Sequence, residues 1–125
     1  RVDELNGVTR IIDYKTGMVA AANLKVPNFN IIREDKYHKA IQVLLYAYCY
    51  TKSKKYDFSK PLEAGIISFK NLKNGFLSTN FSAARTKDHF VTEEKLEEFI
   101  EEIKTILLEI YDINMPFIEP VNLKY

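Results

Sequence analysis

The sequence predicts an α/β domain with a mixed β-sheet flanked by helices, and three observations carry that expectation. Asn6-Gly7 joins two short runs with alternating apolar residues and is the strongest local signal for a hairpin. Residues 64–69 form a continuous apolar run, the mark of a strand buried on both faces in a parallel arrangement. Between them lies a helical stretch long enough to cross from the hairpin to that strand, a connection expected to be right-handed. With 125 residues, 46% hydrophobic and 13% aromatic, one packed domain over residues 1–125 is expected and no more.

Each element follows in order. Strands at 1–5 and 8–14 flank the two-residue turn, which sets Leu5 opposite Val8, Glu4 opposite Thr9, Asp3 opposite Arg10, Val2 opposite Ile11 and Arg1 opposite Ile12. An irregular stretch with Gly17 and Pro27 leads to a helix at 34–52, whose Ile41, Leu44, Leu45 and Tyr48 are expected in the core. Pro61 introduces the buried strand. Asn74-Gly75 is a second hairpin signal and opens a strand at 76–81. Thr92 caps a last helix, with Glu93 and Glu94 favouring its N-terminal dipole and an apolar stripe of Leu96, Phe99, Ile100, Ile103, Leu107 and Ile110. Pro116 and Pro120 end regular structure.

Charge excludes a strongly basic nucleic-acid binder: 18 Lys and Arg against 17 Asp and Glu leave a net +1. The charge is unevenly spread, with Lys52, Lys54, Lys55 and Lys60 grouped mid-chain and Glu93, Glu94, Glu97, Glu98, Glu101 and Glu102 crowding the last helix as a solvated face. A lone Cys49 excludes an internal disulfide and fits a reducing compartment, and no apolar run is long enough to span a membrane, so a cytoplasmic protein is expected. The chain opens on Arg1 in mid-strand, and we expect it to be a piece of a longer protein.

The chemistry concentrates in Arg10 to Gly17. Side chains alternate along a strand, so Asp13 and Lys15 share one face and Tyr14 points to the other. A carboxylate able to hold Mg²⁺ beside a cation able to position a water or offset phosphate charge is the minimum set for metal-assisted phosphodiester hydrolysis. Asp3 falls on the wrong face and is expected to pair with Arg10 across the hairpin, whereas the position opposite Asp13 is the one before Arg1. On the following helix Gln42 and Tyr46 are four apart, one turn above the other, and can reach a phosphate near the strand ends. His38, one turn earlier, is read as solvated and Cys49 as a small buried filler. Arg85, Lys87 and His89, in the loop before the last helix, are candidates for contacts to a nucleic-acid backbone.

These pieces resemble the PD-(D/E)XK nuclease superfamily, and within it the RecB-like and AddB-like exonuclease branch. That branch reads Gly-x-Ile-Asp-Arg-Val-Asp, a turn, Ile-x-Asp-Tyr-Lys-Thr-Gly and later Gln-x-x-x-Tyr. This chain carries Arg1-Val2-Asp3, the whole of Ile11 to Gly17, and Gln42 with Tyr46. The resemblance implies a restriction-endonuclease-like core, truncated at both ends, and a metal-dependent DNA exonuclease of a recombination and repair machine; that activity is expected of the full-length protein, and this piece alone, with only Asp13 and the Tyr14 carbonyl to hold an ion, is expected to be inactive. Asp13 and the Tyr14 carbonyl would hold Mg²⁺ or Mn²⁺, Lys15 would orient the attacking water, and Gln42 and Tyr46 would support the site. The family's first metal-binding Asp precedes Arg-Val-Asp, the same position that the hairpin register sets opposite Asp13. Partners implied are DNA and a helicase subunit or domain. An iron–sulfur cluster, which relatives often place on cysteines after a Pro-Phe segment, falls outside this sequence, because no Cys follows Met115-Pro116-Phe117. The alternative is a nuclease-like module that binds DNA or a partner without cutting. Self-association through an uncovered part of the sheet is also expected.

Overall fold

The computed structural model describes residues 1–118; Pro120, expected to help end regular structure, lies outside them. The chain runs β1 (Val2–Leu5), β2 (Val8–Lys15), α1 (His38–Lys54), β3 (Leu62–Ser68), β4 (Phe76–Ser78) and α2 (Glu93–Tyr111). The strands form one sheet in the order β1-β2-β3-β4, with β2 and β3 parallel and both outer pairs antiparallel. This is the expected mixed α/β sheet.

The first hairpin has the register that its turn dictates, Val2 with Ile11, Asp3 with Arg10, Glu4 with Thr9 and Leu5 with Val8. Asn6 and Gly7 both take positive φ, 52° and 78°, as a type I′-like turn demands. Arg1 extends the ladder by one step, exchanging hydrogen bonds of 2.8 and 2.9 Å with Ile12. In β3, Leu62, Ala64, Gly65, Ile66 and Ser68 are buried, as befits a central strand. Gly65 is required there, since a Cβ on it would stand 2.1 Å from the Leu77 carbonyl oxygen of β4.

The second hairpin is not the tight turn expected at Asn74-Gly75. The β3 strand ends at Ser68, and Phe69–Asn74 coil into a 3₁₀ segment before Gly75, with φ 59°, turns the chain into β4. Phe69 is therefore 55% exposed rather than the last residue of a buried run. The β4 strand stops at Ser78, short of the expected 76–81: Thr79 N still donates to Ala64 O of β3, but Asn80 turns to the preceding segment, its N donating to Leu24 O and its O accepting from Val26 N.

The stretch before α1 is a series of 3₁₀ turns at Ala21–Leu24, Phe29–Arg33 and Asp35–Tyr37, so α1 begins at His38 rather than at 34. Its closest face to the sheet is also rotated from the expected one. Ala40, Val43, Leu44, Ala47 and Thr51 are buried, while Ile41, Leu45 and Tyr48 are only half-buried. The two alanines let the helix axis approach the strands, and the larger side chains pack along its flanks. The α2 helix has the expected cap, Thr92 Oγ1 accepting from Lys95 N at 3.2 Å. Leu96 and Phe99 are buried, but the stripe does not stay covered: Leu107 is 47% and Ile110 52% exposed, because the helix outruns the core in its second half.

Candidate active site

On β2, Ile11 is buried against the α1 side of the sheet, so Asp13 and Lys15, two and four residues on, project from the same face toward α1. Lys15 Nζ donates to Gln42 Oε1 at 2.5 Å, and Gln42 Nε2 donates to Tyr46 OH at 2.7 Å. The direction of this relay is fixed by chemistry: an ammonium only donates, so the amide oxygen faces Lys15 and the amide nitrogen faces Tyr46. Tyr46 OH accepts one hydrogen bond and keeps its own proton to donate. Its side chain is 45% exposed and open to a ligand. The one-turn spacing of Gln42 and Tyr46 on α1 is what lets this pair stack in line with Lys15.

Asp13 completes the cluster with an unusual balance. Its Oδ2 lies 2.8 Å from Lys15 Nζ, an ion-pair distance, yet this buried oxygen has no hydrogen-bond partner among the described residues. The ion pair with Lys15 compensates the charge of this oxygen, and its lone pairs that make no hydrogen bond remain available to a divalent cation.

The backbone supplies a second oxygen. Ile12 turns both its N–H and its C=O toward β1, where Arg1 meets them. Backbone groups alternate along a strand, so Tyr14, two residues beyond Ile12, presents its carbonyl to the same edge. One carboxylate and one carbonyl are hard oxygen donors of the kind that suit Mg²⁺ or Mn²⁺. Among the described residues no group of three or more His, Cys, Asp or Glu side chains gathers that could hold a metal.

Residues 1–120 match the PD-(D/E)XK nuclease superfamily. The chain belongs to it. Members of the PD-(D/E)XK superfamily are generally nucleases and usually use divalent metal ions. No curated protein and no solved structure matches the chain.

Within this PD-(D/E)XK core the other expected residues sort cleanly. Asp3 stands across the hairpin from Arg10 and takes both its hydrogen bonds, Nε at 2.8 Å and Nη2 at 2.9 Å. Those bonds hold the Asp3 carboxyl below its ordinary pKa and raise that of Arg10. His38 is exposed, with Nδ1 donating to Asp35 O at 2.7 Å and Nε2 accepting from Lys39 Nζ at 3.2 Å, away from the cluster. Cys49 is exposed rather than a buried filler, since its position on α1 faces away from the rotated contact stripe. Arg85 and Lys87 are exposed, while His89 is half-buried and donates from Nδ1 to Thr79 O at 2.7 Å.

Two features escaped sequence reasoning. The acidic face of α2 is not purely solvated: Arg33 reaches Glu102 at 2.7 Å and Glu109 at 2.6 Å, clamping the helix to the preceding 3₁₀ turn. Hydrogen bonds from Arg33 lower the Glu109 carboxyl pKa. Separations of 69 and 76 residues leave no local signal for these pairs. On the far face of the sheet, Tyr14 stacks on Phe69 with ring centroids 5.8 Å apart, a contact created by the unforeseen 3₁₀ segment.

Proposed function

We propose that this chain is the core of a metal-dependent DNA exonuclease of the RecB and AddB type, acting in recombination and repair. The observation that carries the reading is the convergence of Asp13, Lys15, Gln42 and Tyr46 around a buried carboxylate oxygen without a hydrogen-bond partner. Asp13 and the Tyr14 carbonyl would hold Mg²⁺ or Mn²⁺. Bound there, the ion supplies Lewis acidity toward a phosphoryl oxygen and makes a coordinated water more acidic. Lys15 holds the attacking water by hydrogen bond and offsets the charge that develops on the phosphate, work for which a fixed cation is suited because it needs no reorganisation. Gln42 sets the direction of the Lys15 ammonium. Tyr46 donates its free hydroxyl proton to a phosphate oxygen of the strand being cut.

DNA is the substrate this reading implies, with a helicase subunit or domain delivering it. The exposed apolar second half of α2 supports association with a second copy or with that partner. A second reading is a module that binds DNA without cutting; in its favour, no group of three or more metal-ligating side chains gathers among the described residues. The two are separated by incubating 5′-labelled DNA with the full-length protein, of which this chain is expected to be a piece, in Mg²⁺, in Mn²⁺ and in EDTA, beside Asp13→Asn. We expect release of nucleotides with either metal, none in EDTA and none from the variant. Binding without metal-dependent release establishes the module instead.

A further inference from the structure

The face of β3 turned toward α1 is apolar at every position but one. Leu62, Ala64 and Ile66, each two residues from the next, are fully buried there, and the row ends on Ser68, a hydroxyl only 1% exposed. In the parallel ladder Ser68 is the register partner of Lys15, so the two side chains leave the sheet side by side, on the face that carries Asp13. The hydroxyl reaches out of its own strand. Its Oγ donates to Gly17 O at 2.7 Å, two residues past Lys15 and 51 from Ser68 in sequence. We propose that Ser68 is a positioning residue of the active site: by holding Gly17 it fixes the carboxyl end of β2, and with it the Lys15 ammonium and the Tyr14 carbonyl. The inference rests on the nuclease reading above and adds to it what keeps the reacting groups in place.

Three observations support it. The first is where β2 ends. Its last residue is Lys15, and Thr16 and Gly17 beyond it are exposed. A Cβ on Gly17 would meet nothing within 4 Å, so no packing restrains the turn on that side, and glycine brings backbone freedom of its own. The bond from Ser68, which is fixed in a central strand, supplies the restraint.

The second is the contrast with the other buried hydroxyls among the described residues, Thr51 and Thr79. Thr51 donates to Tyr48 O within its own helix, and Thr79 to Ala64 O, which its own N–H already meets. Both reinforce connections that exist without them. Ser68 instead ties a strand to a turn that belongs to no regular element.

The third is what hangs on that turn. Lys15 Nζ stands 2.8 Å from Asp13 Oδ2 and also bonds Gln42. A flexible four-carbon stem could keep either contact from several backbone positions, but the ammonium and the Tyr14 carbonyl keep their mutual geometry only if the last step of the strand does not fray. Reacting groups need to be held to within about 0.5 Å of the productive arrangement. Strand ends that open locally do not meet that tolerance.

The test compares two substitutions in the full-length protein. Ser68→Ala removes the hydroxyl, and Ser68→Cys keeps nearly its volume with a much weaker donor. In the metal-free protein, hydrogen exchange of residues 15–19 should be faster in both variants than in the parent, while α2 exchanges at the parental rate. With Mg²⁺ and DNA saturating, single-turnover cleavage should fall on the order of 10-fold, within the 10²-fold that a misplacement of about 1 Å can cost. DNA affinity in EDTA should be unchanged, since the Ser68 side chain is buried away from any substrate. A merely structural role would lower cleavage only by the unfolded fraction that denaturant titration reads, and would leave the rate of the folded protein alone. Parental exchange at residues 15–19, a parental cleavage rate in Ser68→Ala, or a fully active Ser68→Cys overturns the proposal. If Ser68→Ala does not fold, Ser68→Cys decides on the same readouts. A parent that cuts beside an inactive Asp13→Asn leaves the nuclease reading standing whatever Ser68 does; a parent that does not cut removes both.

Discussion

The two faces of β2 carry the same kinds of groups in different states. On one, Asp3 and Arg10 form a two-bond pair in which both carboxylate oxygens are used. On the other, Asp13 and Lys15 are equally close, at 2.8 Å, but one buried carboxylate oxygen makes no hydrogen bond, and the ammonium is shared with Gln42. A pair that satisfies itself stabilises the fold and has nothing left for a ligand. A pair left incomplete keeps its capacity for a metal or a phosphate. One step of strand phase separates the two, and that step decides which acid is structural.

Removing the incomplete pair gives the largest effect on chemistry. Asp13→Ala or Lys15→Ala should lower metal-dependent cleavage by on the order of 10²-fold or more, as loss of one preorganised electrostatic group commonly does. Single-turnover digestion reads this; thermal unfolding should show both variants folded, since neither side chain belongs to the apolar core, with no loss of stability in Asp13→Ala and a modest loss in Lys15→Ala, which leaves the Asp13 carboxylate without its cation. Parental rates in either variant would remove the contrast between the faces.

Gly65→Ala should perturb both faces alike. Its Cβ would meet the Leu77 carbonyl at 2.1 Å, and overpacking of this kind costs about 1–3 kcal/mol or more. Denaturant unfolding should show the loss of stability, and cleavage should fall only in proportion to the unfolded fraction. This variant separates activity lost through the fold from activity lost through the site.

Breaking the satisfied pair should have a small effect on stability and little on activity. Asp3→Ala is expected to cost about 0.2–1 kcal/mol, the range for a cross-strand charge pair, with cleavage largely retained. An inactive Asp3→Ala protein would assign the two acids the opposite way.

The smallest effect is a pH dependence. The hydrogen bonds from Arg10 hold the folded-state Asp3 pKa below its ordinary value. Asp3 therefore contributes stability that is present above its unfolded pKa, about 3.9, and is lost as pH falls through the lower folded value. Denaturant unfolding of the parent and Asp3→Asn over that window should show the difference between them shrinking as the pH is lowered. A difference that stays constant would mean that the pair adds nothing through ionisation.

How much of this was legible in the residues depends on the distance over which each feature is encoded. The hairpin register, the shared face of Asp13 and Lys15, the buried parallel strand and the Thr92 cap follow from neighbours within a few positions, where turn stereochemistry, strand alternation and capping act. The one-turn spacing of Gln42 and Tyr46 was equally visible. That Lys15 would reach Gln42 across 27 positions was not, nor that Asp13 would keep one oxygen without a hydrogen bond. The rotated contact face of α1, the 3₁₀ segment at Phe69–Asn74 and the Arg33 clamp on α2 also belong to the tertiary structure. Each depends on how closely two distant elements approach, and that distance is set by the sum of packing and charge contacts over the whole core, which no local pattern contains.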